Sequence, residues 1–395
     1  MQKYKWIGLL LAAFLLASLS FGCGGGEQQA EAPPDNEEIL LSGETDWAKI
    51  EEMAKESPEI TFYTFTYKDI FTEIASEFES KYGIKVNVVL AEANPTYQKV
   101  LAEQNNPQGT IDAWFMQASQ VDKAKSAQLL FGPIDMAIPN AQYLEPTAKM
   151  YAEGTPIEGY ALPLRLNQAV IAYDSAKVPD PPKSFSELEK WVEENPQKFT
   201  YCDPNRGGSG QAFVNSVIYW LTGGADQYLG EYDEQKVESW GTVWEWLNKI
   251  EPYVVYSSNN NDALDKLNRG EVFMAAAWED MVITAMNEGQ LPKTVKSILL
   301  EPGYIGGADY LAVPANAKNK AAALLWINFL LEPDIQSKFV ETNYVYPART
   351  DISIPPAVAE KMLPLEQFRK LRQPWGLPQY KEKYNELWLK NVAGS

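Results

Sequence analysis

Histidine is absent from the 395 residues. That removes the commonest general base and metal ligand, so no Ser-His-Asp or Cys-His triad and no His-bearing zinc site can be built. Cysteine occurs twice, at Cys23 and Cys202, too few for a disulfide framework. Positive charge is scarce: 34 Lys and Arg face 53 Asp and Glu, a net charge of −19 that repels phosphate backbones and argues against a nucleic-acid partner. The phosphate-binding Gly-Lys loop and Gly-x-Gly-x-x-Gly are missing. The nucleophile motif Gly-x-Ser-x-Gly fails by one residue, because Gly207-Gly208-Ser209-Gly210 is followed by Gln211. What is plentiful is aromatic: 12 Trp, 21 Tyr and 15 Phe. Most of these belong in a core, but such a surplus also suits a pocket that stacks on a small molecule.

The apolar run from Trp6 to Leu19 follows Lys3 and Lys5 and is shorter than the ~20 residues of a spanning helix. It reads as a secretory signal peptide over residues 1–22. Leu19-Ser20-Phe21-Gly22-Cys23 then resembles the lipobox of bacterial lipoproteins, with Ser20 and Phe21 in place of the usual Leu and small residue. That likeness implies a lipid on Cys23 and an extracytoplasmic, membrane-anchored protein. Residues 23–46 carry Gly, Gln, Pro and unpaired acids (Glu27, Glu31, Asp35, Glu37, Glu38) and read as a flexible acidic tether. Such a tether spans ~25 Å on average. With Cys23 acylated, Cys202 is left without a disulfide partner.

The remaining length accommodates two domains of ordinary size. Glu59 to Phe65 reads as a strand, Ile70 to Tyr82 as a helix stopped by Gly83, and Ile84 to Val89 as a second strand. Together they form a βαβ unit with a parallel strand pair. A helix over 96–103 and a strand over 111–115 continue the pattern. Further on, Ser184 to Glu187 forms a capping box, and 199–202 and 272–278 read as strands. The Trp240, Trp244 and Leu247 stripe reads as core. Two extended segments, Tyr160 to Tyr173 and Gly303 to Pro314, read as crossings between lobes, with glycines marking bends or close backbone approach.

On four features the chain resembles the extracellular solute-binding proteins of ABC importers, in the group that binds polyamines, thiamine and iron(III). They are the strand-turn-helix at Ile60 to Phe78, the crossing Leu162 to Asp174, the return Tyr304 to Pro314, and the helix pair Asn319 to Val340. The resemblance implies an α/β, two-lobed periplasmic-binding-protein-like (type II) fold. Each lobe would be a mainly parallel sheet flanked by helices, with two β crossings at the hinge. Lobe 1 is expected over 47–164 plus 306–350, lobe 2 over 165–305, and C-terminal helices near the hinge over 351–395. The implied function is capture of a small solute by lobe closure and delivery to permease subunits, whose ATPase lies on the far side of the membrane. The expected protein is a monomer, with no cofactor, no metal, no catalytic residues, and membrane contact through the lipid alone. A secreted two-carboxylate glycoside hydrolase and a pocket-less surface lipoprotein are the alternatives of other classes.

Ligands of open α/β sheets sit beyond the carboxyl ends of strands. That places Tyr63, Thr64, Phe65 and Trp114 at the cleft from the first lobe, and Ser209, Trp278, Glu279 and Asp280 from the second. Arg165 and Asn167 lie in one crossing, Asp309 and Tyr310 in the other. The backbone N–H groups of Gly208, Ser209 and Gly210 read as an anion cradle at a helix start. Against an anion stand the acids Glu279, Asp280 and Asp309 among aromatics, which suit an ammonium held by charge and cation–π contact. An amine-bearing solute is therefore favoured. An oxyanion, or a phosphorylated or carboxylated solute, is the alternative, and Arg165, Arg206 and the glycine loop could also serve one end of a zwitterion.

Overall fold

A computed structural model describes residues 40–41 and 47–393. The signal peptide, Cys23 and nearly all of the tether lie outside the described residues. Two residues of the expected tether, Leu40 and Leu41, do not behave as free chain. Leu40 is buried in the first lobe's apolar core with Ile50 and Trp326, because an isolated leucine gains more there than in water.

The chain opens with helix α1 (Trp47–Ala54), then β1 (Glu59–Thr64), α2 (Lys68–Tyr82), β2 (Lys85–Leu90), α3 (Ala93–Glu103), β3 (Ala113–Gln117) and α4 (Ala118–Ser126). Gly83 ends α2 in the left-handed region, φ 74°, where its N–H donates to the Glu79 carbonyl. Strand β4 (Leu162–Asp174) leads into a second set. It comprises α5 (Phe185–Glu194), β5 (Phe199–Cys202), α6 (Gly208–Thr222), α7 (Gly241–Ile250), β6 (Val254–Ser257), α8 (Asn260–Asn268), β7 (Met274–Trp278), α9 (Glu279–Asn287) and β8 (Val295–Ile298). Strand β9 (Tyr304–Pro314) returns, followed by α10 (Lys320–Leu330), α11 (Pro333–Asn343) and a tail ending in α12 (Pro378–Trp388). Half of the expected capping box of α5 forms: Ser184 Oγ accepts from the Glu187 N–H, but the Glu187 carboxylate accepts from the N–H of Lys183, one residue before the cap, and not from that of Ser184.

Strand order is β2-β1-β3-β9-β4-β7-β5-β6. Pairing is parallel within β2-β1-β3 and within β7-β5-β6, and antiparallel at β3–β9, β9–β4 and β4–β7. Two parallel half-sheets are thus joined by an antiparallel ribbon of β4 and β9. Residues 162–168 of β4 pair with β9, whereas 169–174 pair with β7 and β8. Each half has its own aromatic core. Phe62, Phe71, Phe78 and Trp326 meet edge to face on one side. Phe185, Tyr201, Phe213 and Trp246 pack on the other, and the tryptophans of α7 join them as core. The tail adds residues 372–373 beside β9 and seats α12 through buried Tyr380 and Trp388, whose indole N–H donates to Tyr201 Oη at 3.1 Å. Cys202 is a buried free thiol.

Candidate functional site

The β4–β9 ribbon positions the central charges. Asp309 lies opposite Arg165, but Tyr310 lies opposite Pro163, so β4 carries one extra residue, Leu164, at a bulge. Proline cannot donate to a ladder, and a bulge re-aims the side chains beside it. Here it leaves Arg165 Nη2 2.5 Å from Asp309 Oδ2, with both side chains at least nine-tenths buried. The guanidinium carbon stands 4.9 Å from the centroid of the Tyr67 ring. Arg165 Nε and Nη1 have no hydrogen-bond partner. Burial disfavours the charge on each member of the pair. It lifts the Asp309 carboxyl despite the pull of Arg165, while on Arg165 the same penalty is outweighed by Asp309, Tyr67 and Asp280, which raise it. A guanidinium does not give up its proton in a protein, so the contact is ionic.

Two cavities flank this pair between the lobes. The smaller, about 250 Å³, takes Gln117 and Ser119 from the first lobe, Gly208 and Trp278 from the second, Asn167 and Asp309 from the ribbon, and Glu153, Trp375 and Lys381 besides. Gly307 forms part of its wall because a Cβ there would stand 2.4 Å from Asn167 Oδ1, which accepts the Gly307 N–H at 2.8 Å. The larger, about 500 Å³, is lined by Tyr67, Thr342 and Asn343 from the first lobe and by Asp265, Asp280 and Glu288 from the second. Burial pushes the Tyr67 phenol up to about 12, with Arg165 opposing. It also raises the Asp280 carboxyl, while Arg165 and the Met281 N–H pull the other way.

Of the residues expected at the site, Asn167, Trp278 and Asp309 meet around the smaller cavity and Asp280 faces the larger, with Arg165 between them. The others are placed differently. Trp114 is core at 1% exposure, tilted against Tyr97. Tyr310 is buried, its hydroxyl donating to the Ala148 and Tyr151 carbonyls. Thr64 is buried and donates to the Thr66 carbonyl, Phe65 stacks on Phe115 at 5.1 Å, and Tyr63 packs half-buried against the apolar cluster that includes Trp114. Glu279 turns away from both cavities. It accepts from Tyr346 Oη at 2.7 Å and from the Leu363 N–H at 2.7 Å, and burial lifts its carboxyl to about 7.

The anion cradle at the start of α6 does not form. The Ser209 N–H donates to Asn260 Oδ1 at 3.2 Å, and the Gly210 N–H donates to Cys202 Sγ at 3.2 Å. Gly210 serves close packing instead, since a Cβ there would lie 1.9 Å from the Cys202 carbonyl oxygen. Gly208 faces the cavity against the Trp278 indole.

Sequence reasoning missed Glu153, Trp375 and Lys381. Glu153 and Gly154 close a hairpin between 151–152 and 155–156, both with positive φ, 44° and 77°. Lys381 Nζ lies 3.8 Å from the Glu153 carboxylate and 5.4 Å from the centroid of Trp375. A Glu-Gly pair between short extended runs is a detectable turn signal. For Trp375 and Lys381 no local pattern exists.

Two α/β lobes, an antiparallel ribbon between them, and a charged, aromatic cavity at that ribbon are the architecture of a two-lobed binding protein. The chain belongs to the bacterial extracellular solute-binding protein family, whose model matches residues 73–364. It is 24% identical over 313 residues to the putrescine-binding periplasmic protein PotF of Escherichia coli, covering 76% of this chain and 81% of that one. It is 26% identical over 290 residues to a spermidine/putrescine-binding periplasmic protein of Salmonella typhimurium, covering 73% and 77%. The fold matches the substrate-binding protein PotD of a Streptococcus pneumoniae spermidine/putrescine ABC transporter with a TM-score of 0.68, at 17% identity, over 85% of this chain and 98% of that one. The expected two-lobed fold is therefore correct. These relatives are binding proteins, and the chain is a solute-binding protein of the ABC-import type. Among the described residues no helix is long and apolar enough to cross a membrane.

Proposed function

We propose that this protein is the lipid-anchored, extracytoplasmic receptor of an ABC importer, and that its lobes close on a small solute carrying an amine. The receptor then hands the solute to its permease. The observation that carries the ligand class is the meeting of Trp278 and Asp309 at one cavity. An indole face and a carboxylate are the two groups that hold an ammonium out of water. The named ligands of the relatives, putrescine and spermidine, support the same chemistry. The oxyanion reading loses its main support, because the Ser209 and Gly210 N–H groups are already engaged.

Calorimetric titration with putrescine and spermidine tests this. Binding should be seen with at least one of them, and Trp278→Ala should weaken it by more than ~1 kcal/mol, about fivefold. At 100 times the dissociation constant the ligand should add ~2.7 kcal/mol of stability, and small-angle scattering should show a more compact particle. Binding of phosphate or sulfate with no response to any amine would overturn the ligand class. For the anchor, Cys23→Ser should release the protein from membranes into the soluble fraction. A variant that stays as firmly bound as wild type would rule out lipidation at this residue.

A further inference from the structure

The smaller cavity already holds an ammonium of its own. Lys381 projects from α12, and its Nζ lies 3.8 Å from the Glu153 carboxylate and 5.4 Å from the Trp375 centroid. An acid and an indole around a cation is the arrangement that Asp309 and Trp278 offer elsewhere on the same wall. Two features show that the Glu153 end is built rather than incidental. Glu153 sits at φ 44°, in a turn position that favours Asn, Asp or Gly, and non-glycine residues are held there only when the surroundings over-determine them. The next residue, Gly154, is pinned on the tail, since a Cβ would stand 2.5 Å from the Leu377 backbone nitrogen. The hairpin that carries Glu153 is thereby fixed to the segment that carries Trp375 and Lys381.

We propose that Lys381 determines specificity by occupying one of two cation positions, so that the cleft takes a short zwitterion, one ammonium and one carboxylate a few carbons apart, in preference to a diamine. The ligand's ammonium lies at Trp278 and Asp309, and its carboxylate reaches Lys381. An ammonium has three donors and can serve Glu153 and a ligand carboxylate together. The charge balance favours this ligand. Glu153 and Asp309 line the cavity with Lys381, and Arg165 is paired to Asp309, so two acids meet two bases. The smaller cavity itself therefore has no net negative charge to offset a dication. Uncompensated charge in a closed, water-poor cleft is costly, whereas a zwitterion adds none. The volume of about 250 Å³ lies just under the range for drug-sized ligands and suits a short chain.

This inference rests on the amine reading above and extends it. The test is calorimetric titration of the full-length protein with a matched four-carbon pair, 4-aminobutanoate and 1,4-diaminobutane. Wild type should bind the amino acid at least about tenfold more tightly than the diamine. Lys381→Met frees Glu153 and Trp375 for a second amine and should reverse the order, while Lys381→Arg should keep it. A wild type that prefers the diamine, or a Lys381→Met ratio equal to wild type, overturns the role of Lys381 and leaves the amine reading standing. Failure of both probes overturns this inference, and silence of spermidine as well overturns the amine reading. If Lys381→Met does not fold, the wild-type ratio and the Lys381→Arg variant decide the matter.

Discussion

Asp309→Ala is expected to cost ~3–5 kcal/mol of folding stability, the usual penalty for removing one member of a buried ion pair. The loss arises from what is left behind. Arg165 is 7% exposed, two of its nitrogens have no hydrogen-bond partner, and its one close counter-charge would be gone. Urea unfolding measures the effect directly. Replacing both partners together, Arg165→Met with Asp309→Leu, should be close to neutral, because the desolvation of two charges disappears along with their attraction. A single substitution costing under ~1 kcal/mol would mean that Asp280 and Tyr67 suffice for Arg165. The large single and small double effects together would show that the pair adds little net stability to the fold.

Glu279 should make stability depend on pH in an unusual direction. Its folded carboxyl titrates at about 7, chiefly because burial disfavours the charge, while Tyr346 and the Leu363 N–H counteract part of that rise. Between pH 4.5 and 7 the folded state therefore binds the extra proton. The contribution is fully present below about pH 4.5, falls as pH rises, and is gone above about pH 7. At about 1.4 kcal/mol per pH unit, the span amounts to about 3 kcal/mol. Glu279→Gln should flatten this slope, since an amide can still meet both Tyr346 and Leu363. Asp280 and Asp309 are raised by burial too, so the difference between wild type and variant isolates Glu279. Identical slopes in the two proteins would show that Glu279 titrates normally.

The architecture was largely legible because its signals are local. Strand β1, helix α2 and its glycine stop lie within a few residues of where periodicity placed them, and the two crossings were visible as long extended runs broken by Pro163 and by glycines. The site was legible only where it depends on the ribbon. Arg165, Asn167 and Asp309 were named, but their contact depends on a bulge that no periodicity announces. Trp114 and Tyr310 were misplaced because aromatic content says nothing about which face of a strand a ring occupies. Glu279 and Asp280 are neighbours at a helix start, yet successive residues diverge by about 100° around a helix, so only Asp280 reaches a cavity. Ser209 and Gly210 were read as free donors, although Asn260, far along the chain, competes for one and Cys202 for the other.

The wall formed by Trp375 and Lys381 belongs to the tail, whereas the segment shared with the family runs from 73 to 364. The cavity is thus assembled from two stretches of chain, with Trp278 and Asp309 inside the family segment and Trp375 and Lys381 beyond it. With Lys381 in the proposed role, a change at a few tail codons would retune the preference while Trp278 and Asp309 stay in place.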